Sequence, residues 1–534
     1  MRRKEDIILS KSILYDAVII GSGHNGLVCA AYLAKYGLKV LVVEQRSVLG
    51  GACVTEEIAG CKISRTSYVY SLFSPKVVRD LDLIRNGLEL LERNPPSFTP
   101  MLDGRHLHLH QEVAETQLEI AKFSECDAEV YPQYEEMLDR IVGFIDSILH
   151  QTPPDLNRKR DWPKLLKLGF KALRLKEDLP VLGELFSLSA YDFVTKYFKS
   201  EPLISTLCTD GIIGSIGGPM APGTAYVLLH HVMGEVNGHR GRWGYVRGGM
   251  GGLTNAILKT VTIHGGSCLV NADVDKILVE DNKASGVVLK DGRIINSKMV
   301  ISCADPHNTF SVMLDHHDLP EDFRVAVSGI NYASATSKVN LVIDGGLKFN
   351  CYDGPVPGTF HIGETILEME KAADDAKYGR ISDRLILEGC IPSTVDDTLA
   401  PKGRHIISLL VQYTPYNLAE GSWDEKKPEL LKKVIDRLAE YTNINQLDIL
   451  ASDVITPLDL ENDFRLTGGN LFHGLMNLSH LFSFRPVFGF ANYRTPIDGL
   501  YLCGSGTHPG GGITGIPGHN AAREIIKDKR WLDK

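Results

Sequence analysis

The chain has 534 residues, 43% hydrophobic and 23% charged, with a formal net charge of −9. That length carries one large or two medium domains with a substantial core. The acidic balance argues against nucleic-acid binding, which needs a basic face, and no apolar run reaches the roughly 18 residues of a membrane span.

The first ten residues, MRRKEDIILS, lack the apolar stretch of a secretory signal, so a secreted protein is not expected. Ten cysteines are scattered with no C-x-x-C pair and no Cys/His spacing suited to zinc, so no metal is expected. Reduced thiols in a reducing compartment, the cytoplasm for a prokaryotic source, are the expected state.

The first element is the run Ala17 to Ile20, short and β-branched enough for a buried parallel strand. Gly21, Gly23 and Gly26 follow in G-x-G-x-x-G spacing, with His24 and Asn25 inside the loop. The first glycine allows a tight turn, the second lets a pyrophosphate approach the backbone, and the third lets a helix pack on the strand. That helix is expected from about Asn25 to Tyr36, ended by Gly37 in the left-handed cap position. A second strand, Lys39 to Val43, ends at Glu44, whose carboxylate suits a ribose 2′-hydroxyl and disfavours a 2′-phosphate. Strand, turn, helix, strand and acid in this order read as a dinucleotide site. Gln45 and Arg46 come next, and Gly50, Gly51 and Ala52 offer a second close backbone approach for a longer cofactor.

Residues 112–240 turn helical, with YPQYEEMLDRIVGFIDSILHQ the clearest amphipathic stretch. Inside it, Arg158 to Lys176 holds eight basic residues against one acid. Lys164, Lys167, Lys171 and Arg174 share one helical face there, and Leu165, Leu168, Ala172 and Leu175 another. This pattern fits two roles: peripheral docking on anionic lipid, or leucines packed on the protein with solvated lysines, the second being favoured. At Arg247 to Leu253 a second glycine loop lacks its third glycine and a good preceding strand, so a separate NADH domain is not expected. A helix and the strand SCLVNADVDKILVE follow, then a hairpin turning at Asp291-Gly292. The last chemical segment, Leu500 to Ile526, runs from a strand through Gly504 and Gly512 to a helix beginning between Ile513 and His519, whose N-terminus suits an anionic oxygen.

The pattern E-x-R-x-x-x-G-G-x-x-x-T over 44–55 resembles the extended signature of the flavoproteins that include phytoene desaturases, carotenoid isomerases and amine oxidases. Residues 23–28, 51–57, 64–68 and 94–102 are most similar to the pyridine nucleotide-disulfide oxidoreductase domain-containing protein 2 group, a likeness that covers nearly the whole chain. The paired redox cysteines of true disulfide reductases are missing.

The resemblance implies non-covalent FAD and an α/β fold: a discontinuous Rossmann-type FAD-binding domain with an inserted mixed α+β substrate domain. The FAD domain would comprise residues 14–105, 245–315 and 485–534, and the substrate domain 106–244, mostly helical, and 316–484. It further implies Val274 near the adenine, Gly504 near the pyrophosphate and Ile513 near the flavin ring. Arg65, Tyr68 and His473 would line the substrate cavity. His508 is the single catalytic candidate, with a structural role in its glycine turn favoured.

The expected function is an FAD-dependent oxidoreductase removing a hydride from an apolar small molecule, or desaturating or isomerising a double bond in it. The alternatives are an amine-oxidase-like enzyme and a regulatory or interaction protein that keeps FAD as a structural ligand. A mitochondrial-matrix location is implied by the resemblance alone, and the oligomeric state stays open.

Overall fold

The structure, a computed structural model, describes residues 14–528. Its first strand, β1 (Tyr15–Ile20), is buried over its last four residues and pairs in parallel with β2 (Val40–Val43). Between them lies the helix α1 (His24–Lys35), which ends as Gly37 takes φ +96°. A β-carbon on Gly26 would sit 2.3 Å from the Gly21 carbonyl oxygen, so only glycine lets α1 lie this close to its own loop.

β1 is central in a seven-stranded sheet. Ser267–Leu269 extends it in parallel beyond β2, and Ile294–Ser302 flanks β1 in parallel on the other side. The same long strand pairs in parallel with Leu500–Leu502 and, through its first residues, antiparallel with Lys283–Leu289, which pairs in turn with Val274–Glu280. Three segments distant in sequence therefore build one sheet. The single strand expected over SCLVNADVDKILVE is two, broken where Asn271 takes φ +50°. Likewise the stretch around Tyr245, a poor strand by sequence, forms the buried strand Gly244–Val246 against Leu90–Glu92.

A second, five-stranded antiparallel sheet has the order Thr359–Ile362, Ile386–Cys390, Arg404–Gln412, Thr336–Asp344, Asp448–Ile455. The helix Trp423–Tyr441, capped by Ser422 and Glu425, packs on it through Leu430, Val434 and Leu438. The hairpin of Ser97–Pro100 and His106–Leu109 also joins this layer, where Phe98 is buried among the sheet's side chains. The boundary expected at 105 thus falls inside a hairpin. A helical lobe stands beside the two sheets, led by Glu125–Leu149, whose Tyr134, Leu138, Ile141 and Ile145 face its core.

The basic stretch forms the helix Trp162–Ala172, which buries no side chain. Leu165, Leu168, Ala172 and Leu175 are half-buried. Trp162, Leu166, Phe170 and Leu173 are between 53% and 69% exposed, a second apolar face absent from the sequence reading.

Candidate functional site

Parallel strands that end in register bring their following loops together. Ile20 pairs with Ser302, and Ser302 with Leu502, so the loops starting at Gly21, Cys303 and Cys503 share one edge of the sheet. Asn25 joins two of them by donating from Nδ2 to Ser505 Oγ at 3.1 Å. The helix Ile516–Lys527 lies on α1, where a β-carbon on Gly518 would come within 2.2 Å of the Asn25 carbonyl oxygen.

A cavity of about 370 Å³ begins at these loops and reaches the second sheet. Among the expected cofactor residues, Gly21, Gly23, His24, Asn25, Glu44, Gln45, Arg46, Gly51, Ala52, Val274, Gly512 and Ile513 line it. Gly26, Gly50 and Gly504 stand behind this lining: Gly26 against Gly21 and Cys303, Gly50 donating to Ser22 Oγ at 3.1 Å, and Gly504 against the Cys303 backbone.

Several features fit a dinucleotide here. Helix α1 has no side-chain cap, so its first N–H groups are open to an anion. Gly51 approaches Gly23 so closely that a β-carbon would lie 2.9 Å from its Cα. Glu44 accepts hydrogen bonds from Ser22 N (2.9 Å) and Ser22 Oγ (2.7 Å) at Oε2, and from Arg46 N (3.0 Å) at Oε1. A carboxylate accepts about four, so Oε1 keeps room for one ribose hydroxyl. His24 Nε2, Asn25 Oδ1 and Arg46 Nη1 are buried without partners in the protein, an arrangement that is costly unless a ligand supplies them.

At the other end of the cavity stand groups that sequence reasoning did not single out. Lys338 and Glu388 each pair in register with Leu410, so the three form a row across three strands, and all line the cavity. Lys338 Nζ donates to Ser408 Oγ at 2.6 Å and sits 4.1 Å from the centroid of the Tyr68 ring. Burial pushes Lys338 down to about 8 and raises Glu388, one of whose oxygens is buried without a partner. The alternation in TSKVNLVID, with Val339, Leu341 and Ile343 on one face and Lys338 and Asn340 on the other, was the signal in the sequence.

Tyr68 and His473 line the cavity. His473 has φ +58° and a buried Nδ1 without a partner, and burial lowers its pKa. Arg65 lies outside the lining: it pairs with Asp453 at 2.9 Å and with Glu56 at 3.4 Å, clamping the early chain to the second sheet. His508 also lies outside it, buried edge-on to Phe482 with centroids 5.4 Å apart, and desolvation lowers its pKa to about 3.

Two further residues frame the site. Arg485, fully buried, donates to the carbonyls of Ser505 (2.9 Å) and Phe472 and so ties the cavity wall to the C-terminal loop. His231, from the helix Thr224–Val232, lines the cavity.

A Rossmann-type sheet, an uncapped helix at a glycine loop, and a cavity running from them to a second domain define a dinucleotide-dependent flavoprotein. The family described as flavin containing amine oxidoreductase matches residues 26–526. The rat pyridine nucleotide-disulfide oxidoreductase domain-containing protein 2 is 43% identical, covering 96% of this chain and 94% of that protein. A limonene dehydrogenase component of Castellaniella defragrans is 27% identical over the same shares. Among solved structures, an oxidoreductase from Methanosarcina mazei superposes with a TM-score of 0.59 at 16% identity, covering 96% of this chain and all of that one. The chain belongs to the flavin-containing amine oxidoreductase family, within the group of the rat protein. It is an oxidoreductase with FAD as a non-covalent cofactor.

Proposed function

We propose that the protein acts on an apolar small molecule, by hydride removal, desaturation or double-bond isomerisation. Bound FAD supplies the hydride acceptor, its N5. Glu44 would hold the ribose, the α1 N-terminus the pyrophosphate, and the Gly512–Ile513 backbone the flavin ring. The protein's remaining part is to orient the substrate and exclude water.

The row Lys338–Leu410–Glu388 carries this reading. Lys338 occupies the face of Tyr68, a ring that could otherwise cradle a substrate ammonium. Leu460, Leu466, Leu471 and Phe472 line the same cavity and give it apolar surface. The similarity to a limonene dehydrogenase component supports the same substrate class. With its amine neutral above about pH 8, Lys338 is the group suited to take or hold a proton. An amine-oxidase reading predicts peroxide formation with a panel of primary and secondary amines; our reading predicts none, and turnover of any amine in that screen overturns it.

The apolar substrate class goes with a lipid surface, and we infer that the helix Trp162–Ala172 docks on anionic lipid. Trp162, Leu166, Phe170 and Leu173 fall within about 80° of one another at 100° per residue. Beside them opens a groove lined by Lys164, Lys167, Lys171, Lys283, Arg494 and Arg523, basic in an acidic chain. An exposed apolar stripe flanked by lysines suits the headgroup boundary, where each lysine contributes about 1 kcal/mol. The expected result is co-sedimentation with phosphatidylserine vesicles, lost at high salt and in Lys167→Glu/Lys171→Glu, and weakened in Leu166→Gln/Phe170→Gln. Equal sedimentation of wild type and both variants, or none from any, rejects the docking.

A further inference from the structure

Away from the cavity, the strand His106–Leu109 lies beside the helix Val113–Ala121. His106 and His108 are two residues apart on the strand and face the same side. Glu119 comes from the helix, and one ligating atom from each of the three lies within 4.8 Å of the other two. We propose that His106, His108 and Glu119 form a binding site for a divalent transition-metal cation such as Zn²⁺, with water completing a tetrahedral shell. Two imidazoles and a carboxylate with an open fourth position are a recurrent zinc donor set.

The surroundings prepare the donors. His106 Nδ1 is 3.1 Å from the Cys351 carbonyl oxygen. A carbonyl only accepts, so Nδ1 carries the proton and Nε2 keeps its lone pair for a metal. Hydrogen bonding of this kind fixes the orientation of ligating histidines. Glu119 Oε2 is buried with no hydrogen-bond partner, while Oε1 accepts from Lys122 Nζ at 2.5 Å. Lys122, paired with Glu119, is a cation that opposes a metal, and its side chain is 54% exposed.

The rings are held by aromatic neighbours: His108 lies 4.7 Å from Phe98 and His106 5.2 Å from Tyr352, centroid to centroid. The other His/carboxylate group among the described residues, Asp315, His317 and Asp318, is unlike this one: His317 is 82% exposed and Asp315 is paired with Lys276. Bound metal would tie the hairpin on the second sheet to the first helix of the helical lobe. None of its three donors lines the cavity, so the site stands apart from the flavin site.

The test uses the full-length, FAD-loaded protein with any affinity tag removed, stripped with chelator and titrated with Zn²⁺ and with Co²⁺. We expect one Zn²⁺ per chain, a visible Co²⁺ spectrum of tetrahedral intensity, and a Tm that rises with Zn²⁺. In His108→Ala and in the near-isosteric Glu119→Gln, affinity is expected to fall at least about tenfold, with loss of the Co²⁺ bands and of the Tm shift. Retained flavin absorbance reports that each variant is folded; should His108→Ala lose it, Glu119→Gln carries the comparison. The site is overturned if wild type takes up no stoichiometric Zn²⁺, or if folded variants bind it as tightly and give the same Co²⁺ spectrum.

Discussion

At the scale of single residues, two buried charges decide how the site works. Glu44 spends three of its acceptor positions on Ser22 and Arg46 and keeps one for the cofactor. Glu44→Ala therefore removes a ligand contact and loosens the glycine loop together. Hydrogen bonds to a charged group are worth about 1.5–3 kcal/mol, so FAD affinity of the apoprotein is expected to fall roughly ten- to a hundredfold or more. Fluorescence titration of apoprotein with FAD measures this.

Lys338 is the other. Burial lowers it from 10.5 to about 8, so between those pH values the folded protein binds fewer protons than the unfolded chain. Stability then rises with pH across that window, and the cost of the buried cation is fully present below pH 8. A shift of that size corresponds to about 3 kcal/mol. Lys338→Met is expected to be more stable than wild type at pH 7 by an amount of that order, and urea unfolding should show its advantage vanish by about pH 10.5. In kinetics, a rise in flavin reduction with an apparent pKa near 8 should be present in wild type and absent in the variant.

At the scale of elements, the two glycine loops differ in who uses their N–H groups. The α1 loop leaves its first turn open, whereas the loop at Gly248 to Gly251 is consumed by the protein: Gly248 N donates to Asp396, Met250 N to Ser64 Oγ and Gly251 N to Thr55 Oγ1. Little is left there to hold a second pyrophosphate. Micromolar NADH is accordingly expected not to reduce the flavin rapidly under anaerobic conditions; fast bleaching would contradict this assignment.

The β1–α1–β2 unit was legible in sequence because each signal is local: an apolar run, three glycines, and a helix stop at Gly37. The strands Gly244–Val246 and Leu90–Glu92 were not, since a three-residue strand exists only through its partner. Nor was the hairpin over 97–109, for a similar reason. Phe98 chooses its core by packing, and nothing within the hairpin's own residues shows which sheet it will meet.

At the scale of the molecule, one seven-stranded sheet is assembled from residues 15–43, 267–302 and 500–502, and the glycine motifs of the first and last segments announced their meeting. The opposite wall was hidden. Lys338, Leu410 and Glu388 lie 22 to 72 positions apart and meet only through strand register. Arg65 shows the converse: it sits in a family-like motif, yet the fold uses it as a clamp, while His508, for which a structural role was favoured, is buried outside the cavity lining. Likewise the amphipathic pattern of 158–176 was visible, while the exposed stripe of Trp162, Leu166, Phe170 and Leu173 emerged only once the leucine face had turned toward the protein.

The central claim is that FAD here oxidises an apolar molecule held against the Lys338–Glu388 wall. The most direct test is anaerobic mixing of the FAD-loaded protein with a panel of unsaturated hydrocarbons, amines and reduced nicotinamides, followed by stopped-flow absorbance. The account predicts bleaching of the oxidised flavin band by an apolar hydrocarbon, slowed in Lys338→Met, with no bleaching by amines or NADH. Rapid bleaching by an amine or by NADH, with every hydrocarbon inert, would contradict it.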